Sequence, residues 1–311
     1  MQSKLIRICL ISLLGISFLN AEPRYYEYDL PNLVASPAAF QTRDLFFLPE
    51  EGGFLSTTEL SFEMQKSWLS DANKTTSKGY NVFLGENLSY ALRDYLFLGI
   101  GFGFISGRTE ELNSVDHSKY SYSGARDPSF SLLYRIVDQK NAAYFLDLQG
   151  IFSPSIGQGL YSNGFRGGHK IEGLVSFGQA IWDFEYKFGI HGAYYTLAKV
   201  QDGSQVVDQK STYEWGLSSL VQYDIDSKNS FDVGLYLTFP RKLQNKNSAD
   251  YEKPLYLLSV ELGPVHQFDD FLSASLKPYY SYEQADNLNS SKLYKQTTII
   301  YGVKFSLNYA F

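Results

Sequence analysis

Counting back by twos from Phe311 gives Tyr309, Leu307, Phe305, Val303, Tyr301 and Ile299, an unbroken apolar and aromatic row. A period of two marks one face of a β-strand. The residues between them, Ala310, Asn308, Ser306, Lys304, Gly302 and Thr298, are small or polar with Ile300 the exception, so the opposite face is wet. The same alternation predicts twelve strands, near 53–68, 79–92, 94–107, 127–137, 142–153, 169–179, 181–196, 210–224, 229–240, 254–267, 270–283 and 295–311. Each approaches the length of a tilted membrane strand. Apolar rows stand out in the third (Leu96, Leu98, Ile100, Phe102, Phe104), the seventh (Trp182, Phe184, Tyr186, Phe188, Ile190) and the ninth (Phe231, Val233, Leu235, Leu237, Phe239).

Connections alternate in length. Short turns are expected at Arg93-Asp94, Asp138 to Asn141, Gln179-Ala180, Asp226 to Asn229 and Gln267 to Asp270. Long polar loops are expected at 69–78, 108–126, 154–168, 197–209, 241–253 and 284–294. With an even strand count, every short turn falls on one side and every long loop on the other. Bacterial outer-membrane barrels sort their periplasmic turns and external loops in this way, and a β-sandwich has no reason to. The predicted fold class is therefore all-β, a closed antiparallel transmembrane β-barrel of about twelve strands over residues 52–311. Tyr90, Tyr95, Tyr144, Tyr194, Tyr213, Tyr223, Tyr282 and Tyr309, near predicted strand ends, would form its aromatic girdles.

The amphipathic final strand resembles the last strand of such barrels, in which a terminal aromatic acts as an assembly signal. That resemblance gives Tyr309 and Phe311 this role and implies the barrel-assembly machinery as a partner, beside outer-membrane lipids and lipopolysaccharide. At the other terminus, Lys4 and Arg7 precede an apolar run from Ile8 to Leu19, with Asn20-Ala21 before a polar Glu22-Pro23-Arg24. This is the layout of a secretory signal peptide over 1–21. Residues 22–51 show neither alternation nor helical period and are expected to be a periplasmic or lumen-inserted segment.

Removing residues 1–21 also removes Cys9, the one cysteine, and leaves 25 bases against 33 acids, a net charge of about −8. An acidic chain without a basic face argues against a nucleic-acid partner. Aromatic residues make up 16% of the sequence, as lipid-facing rows and girdles require.

In the opposite register, the lumen should be lined by Glu59, Glu63, Asp147, Glu172, Asp183, Glu185, Glu214, Asp232 and Glu261, with Arg135, Lys170, Lys187, Lys277, Lys304 and the histidine His191. Ionisable groups are costly against hydrocarbon, so their gathering on one row supports the register. They either line a narrow, mildly cation-tolerant pore or pair off and plug it. Inward Gly99, Gly101 and Gly103 are expected to leave space beside the third strand.

Catalytic chemistry finds little support. A hydrolase needs a serine activated by a positioned histidine. His117 lies in a serine-rich loop, His191 is flanked at two positions by Gly189 and Ala193, and His169 and His266 sit beside Ile171 and Pro264 at that spacing. No histidine pair has metal-ligand spacing, so no metal or cofactor is expected. Phe165-Arg166-Gly167-Gly168 is glycine-rich without a following helix and reads as loop.

The run Gly124-Ala125-Arg126-Asp127-Pro128-Ser129-Phe130-Ser131-Leu132-Leu133-Tyr134-Arg135, with the later Phe152-Ser153-Pro154-Ser155-Ile156-Gly157, resembles the outer-membrane channel proteins linked to aromatic (phenol) degradation pathways. The resemblance covers about 35 residues. It implies passage of small, hydrophobic molecules and puts Asp127 and Arg135 at the mouth and wall of the lumen. The expectation is a monomeric outer-membrane channel or porin-like protein passing a small solute. A structural or surface-binding barrel with a plugged lumen is the alternative, and an outer-membrane lipid hydrolase the third.

Overall fold

The computed structural model describes residues 43–70, 75–112, 117–137, 144–156, 168–181, 183–202, 205–240, 242–244, 246, 249, 251–289 and 292–311. The expected leader, residues 22–42 of the 22–51 segment, the turn at 138–141, Trp182 and Phe165 to Gly167 lie outside these residues. The strands are β1 (Phe54–Leu69), β2 (Thr76–Arg93), β3 (Leu96–Leu112), β4 (His117–Ala125), β5 (Ser129–Val137), β6 (Phe145–Ser153), β7 (Lys170–Ile181) and β8 (Phe184–Tyr195). They continue as β9 (Ala198–Asp202), β10 (Gln205–Gln209), β11 (Thr212–Asp224), β12 (Asn229–Phe239), β13 (Leu243–Gln244), β14 (Tyr251–Asp269), β15 (Leu272–Asn289) and β16 (Lys292–Ala310).

Twelve of these close a ring in the order β1, β2, β3, β5, β6, β7, β8, β11, β12, β14, β15, β16 and back to β1. Closure satisfies every edge, the condition for a sheet to cross hydrocarbon. The remaining four sit at the rim: β9 and β10 form a hairpin of their own, β13 lies on β14, and β4 continues the wall above β5. Along β3, the outer half pairs with β4 and the inner half with β5. Between them residues 126–128 stand against only Phe102 and Gly103, a bulge in which Pro128 has no N–H to give to the ladder.

Six consecutive strands around the ring, β14, β15, β16, β1, β2 and β3, are 16–19 residues long. The other six run only 9–13 residues. About 9–11 tilted residues span a bilayer. One side of the barrel therefore rises well beyond the membrane while the other stops at it, and the external rim is cut obliquely. Expected loops at 108–126, 197–209 and 284–294 are largely ladder, for β3, β4, β9, β10, β15 and β16 all extend into them, and β2 begins within the loop expected at 69–78. Above the membrane both faces of a hairpin are wet, so its backbone pairing persists after the alternation has faded.

The exterior is what lipid requires. Phe62, Leu84, Phe102, Phe130, Phe152, Ile171, Phe188, Ile190, Leu258 and Phe305 are all exposed, an apolar area far larger than a water-soluble surface tolerates. At the short-turn end, Phe54 stacks on Phe311 at 5.3 Å, Tyr95 meets Tyr134 at 5.6 Å and Phe184 meets Tyr223 at 4.9 Å, forming the periplasmic girdle. Phe188, midway up β8, tests the assignment. Phe188→Arg should cost about 2–4 kcal/mol in urea unfolding from lipid vesicles, while His191→Arg on the inward row costs far less.

One carboxyl breaks the lipid-facing pattern. Glu86 pairs in register with Phe102 and Thr58 on the outward rows, and its oxygens accept from Ser56 Oγ and Thr58 Oγ1, both at 2.5 Å. Two cross-strand hydroxyls thus satisfy a group that hydrocarbon would otherwise penalise.

Candidate functional site

The interior of the barrel carries the polar chemistry, and its periplasmic end is crossed by residues 43–46. Arg43 donates its backbone N–H to Gln267 Oε1 (3.1 Å) and its Nη1 to the carbonyl of Asp226 (2.9 Å), and its own carbonyl accepts from Gln222 Nε2 (2.9 Å). The Leu45 N–H donates to Glu185 Oε2 at 2.9 Å. Phe46 is 1% exposed and stacks on Phe145 at 4.3 Å, its carbonyl accepting from Arg135 Nη2 at 3.2 Å and Lys187 Nζ lying 5.6 Å above its ring. The ring lies against Gly178, where a Cβ would fall 2.1 Å from Phe46 Cζ, so only glycine permits this approach. Gly52, at φ 84°, then turns the chain into β1.

This segment is a latch. It touches β5, β6, β7, β8, β11 and β14, six of the twelve ring strands, and leaves β1, β15 and β16, whose small polar inward side chains Thr57, Ser273 and Asn308 form a crescent on the other side of the bore. Arg135 holds it from below. Its Nε and Nη2 reach both oxygens of Asp147 at 2.9 and 3.1 Å, and its guanidinium lies 4.8 Å over Phe145. The turn under the latch is rigid too: Asp226 accepts from the backbone N–H groups of Lys228 and Asn229 and from the Asn229 side chain. The Asn229 bond, ahead of these backbone bonds, holds the Asp226 carboxyl below the usual range.

Above the latch the charged side chains pair across the ladder. Lys277 donates to Asp232, and Lys304 Nζ to Glu261 Oε2 at 2.8 Å, with Tyr236 Oη donating to Glu261 Oε1 at 2.6 Å. Glu63 accepts from Asn81 Nδ2 (2.8 Å) and Tyr279 Oη (3.0 Å), and Tyr122 donates to the Asn81 carbonyl oxygen. On the opposite wall Lys170 lies 2.7 Å from Glu172 and 3.6 Å from Glu214, which also accepts from Tyr195 Oη at 2.6 Å. Beside that last group is a cavity of about 280 Å³, lined by Phe83, Asn87, Ile151, Ser153, Lys170 and Glu172 among others. Its wall is mixed, apolar from Phe83 and Ile151 and charged from Lys170, Glu172, Arg126 and Asp127.

Fourteen of the fifteen candidate lumen residues lie on the inward rows. Asp183 does not: it is exposed in the turn before β8, because that strand begins at Phe184. Nor is the space at Gly99, Gly101 and Gly103 open. A Cβ there would meet Ser131 Oγ at 2.3 Å, Asn87 Oδ1 and Ser129 Oγ at 2.4 Å, or the Phe83 ring at 2.8 Å, so neighbouring side chains lean into it. Arg135 stands deep at the periplasmic end, and Asp127 is in the wall bulge, accepting from the Ile156 N–H at 3.1 Å. Sequence reading missed Arg43 and Phe46, which have no periodic signal, and Gln222 and Gln267, which sit on the inward rows of β11 and β14 but as neutral amides do not stand out there. Of the histidines, His117 is exposed 4.0 Å from Glu110, His169 accepts from the Ser155 N–H, and His266 bonds Asn229 at 2.8 Å.

No protein-family model and no curated protein matches the sequence. Solved structures do match the fold. An outer membrane channel from Pseudomonas putida F1 superposes with a TM-score of 0.58 at 14% identity, over 89% of this chain and 99% of the other. The translocator domain of the autotransporter NalP from Neisseria meningitidis gives 0.43 at 13% identity, over 81% and 88%. A FadL homologue from Pseudomonas aeruginosa gives 0.41 at 9% identity, over 84% and 90%. The likeness at 0.58 is to the outer-membrane barrel fold.

Proposed function

We propose that this barrel is a passive conduit of the outer membrane for a small solute, narrowed at its periplasmic exit by the Arg43–Phe46 latch. The observation that carries the reading is the combination of a lipid-solvated exterior, polar inward rows and a half-open cavity of about 280 Å³ beside the Lys170–Glu172 pair. The mixed wall of that cavity suits a solute with an apolar body and a polar head, in keeping with the resemblance over 124–157. Pairing among Asp232, Lys277, Glu261 and Lys304 neutralises the bore locally, so selectivity should rest on size and on the Lys170–Glu172–Glu214 group. Lipids, the barrel-assembly machinery and lipopolysaccharide are the partners we assign it, and no catalytic step is asked of the four histidines.

Planar-bilayer recording tests this. The folded protein should show discrete openings of low conductance, and silence from both the native chain and a latch-opened variant would overturn the reading. The latch itself favours a second reading, a barrel with a plugged lumen that binds partners through its rim. Binding would then be lost on deleting 108–126 and 241–253, with folding intact and both channels silent.

A further inference from the structure

The raised side of the barrel carries a feature that conduction does not use. On β2, the outward residues Tyr90 and Tyr80 are ten positions apart, which at about 3.3 Å per residue and a tilt near 45° spans roughly the 25 Å height of the apolar band. Tyr80 therefore marks the external edge of the hydrocarbon. At its level and one step above, the outward face is basic: Arg108 is in register with Tyr80, and Lys66 and Lys78 are in register with each other. Glu110, beside Lys78 on β3, is in register with Lys119 on β4.

Glu110 already serves Arg108 (2.8 Å) and Lys119 (3.4 Å). Among the described residues no carboxylate lies within 4 Å of Lys66 or Lys78. Lys66 instead stands 4.8 Å over the Trp68 ring. Like charges directly opposite on neighbouring strands repel. A chain with an excess of acids has thus concentrated four bases around one acid on a single outward patch. The patch also has shape. A groove of about 510 Å³ runs along it, lined by Tyr80, Val82, Ser106, Arg108, Ser121 and Ser123. It presents a guanidinium and three hydroxyls with an aromatic ring alongside.

We infer that this groove binds the phosphorylated sugar head of the outer-leaflet glycolipid, lipopolysaccharide, with Arg108, Lys78 and Lys66 neutralising its phosphates and the serines and Tyr80 holding the sugar. Bidentate Arg–phosphate bonds and flanking ammonium charges are the usual means of holding such a group. The acyl chains of the same molecule continue down over Val82, Leu84 and Phe104, the exposed row directly below. Position decides for a lipid over a free anion: the groove opens sideways at the hydrocarbon edge, where a membrane-anchored phosphate is held at high local concentration. The inference rests on the outer-membrane setting and not on conduction.

The test is native mass spectrometry of the folded, detergent-solubilised protein with bis-phosphorylated lipid A, and with the same lipid stripped of phosphate. One lipid should bind per barrel, at least tenfold more tightly with its phosphates than without. Arg108→Gln combined with Lys78→Gln should weaken the phosphorylated adduct at least tenfold. Arg93→Gln, one charge lost at the periplasmic end, should leave it unchanged. Folding is read from the heat-dependent shift in gel mobility, and the comparison of the two lipids on the native chain needs no variant. Equal binding of both lipids, full retention by the double variant, or complete displacement by equimolar inorganic phosphate would overturn the inference. None of these outcomes bears on bilayer conductance, so the two readings fail separately.

Discussion

Phe46→Ala should turn a rarely open barrel into a conducting one. Truncating a fully buried phenylalanine costs about 3–5 kcal/mol of docking energy. Here the ring also loses its stack on Phe145 and its contact with Gly178. What is lost is the attachment of a short segment and not the barrel, whose ladder does not involve residue 46. At 1.4 kcal/mol per tenfold, even the low end favours the undocked latch about a hundredfold more than in the native chain. Bilayer recordings should therefore show open probability rising by about two orders of magnitude, or to saturation, with thermal unfolding of the barrel shifted little. Unchanged conductance in a folded variant would mean that the crescent beside the latch is already the full passage.

Arg135→Met should be the most destabilising single change in the bore. Arg135 and Asp147 are 7% and 4% exposed and joined by two hydrogen bonds, so removing the arginine leaves a carboxylate enclosed without its cation. Breaking a buried pair in this way costs about 3–5 kcal/mol, whereas replacing both partners by apolar groups of similar volume is often neutral. Urea unfolding from vesicles should show the loss in Arg135→Met and recover most of it in Arg135→Met with Asp147→Leu. The double variant still lacks the donor to the Phe46 carbonyl, so its conductance should stay above native although its stability returns. Stability and gating would then separate, as expected if one arginine serves both wall and latch.

Most of the wall was legible in the sequence. Rows such as Leu96 to Phe104 and Phe231 to Phe239 partition between lipid and water residue by residue, so their period needs no knowledge of neighbouring strands. Errors fell where that partition stops. Asp183 keeps the parity of the inward row but lies one residue before its strand, and the rim hairpins lost their alternation on leaving the membrane. Glu86 shows a third limit, since a carboxyl on the lipid side is tolerated only because Ser56 and Thr58 reach it from the adjacent strand.

Alternation by itself determined that the chain is a closed cylinder with a greasy exterior, a wet bore and turns sorted by side. Only the tertiary structure decided which bore residues meet. Lys304 and Glu261 are on strands separated by β15, and Glu63 and Tyr279 on strands separated by β16, so their contacts depend on closure and shear. The docking of Arg43 and Phe46 depends on six strands arriving together, and the groove at Arg108 on three. A period of two is a local property that each strand carries alone, while a pocket exists only where several strands stand in register.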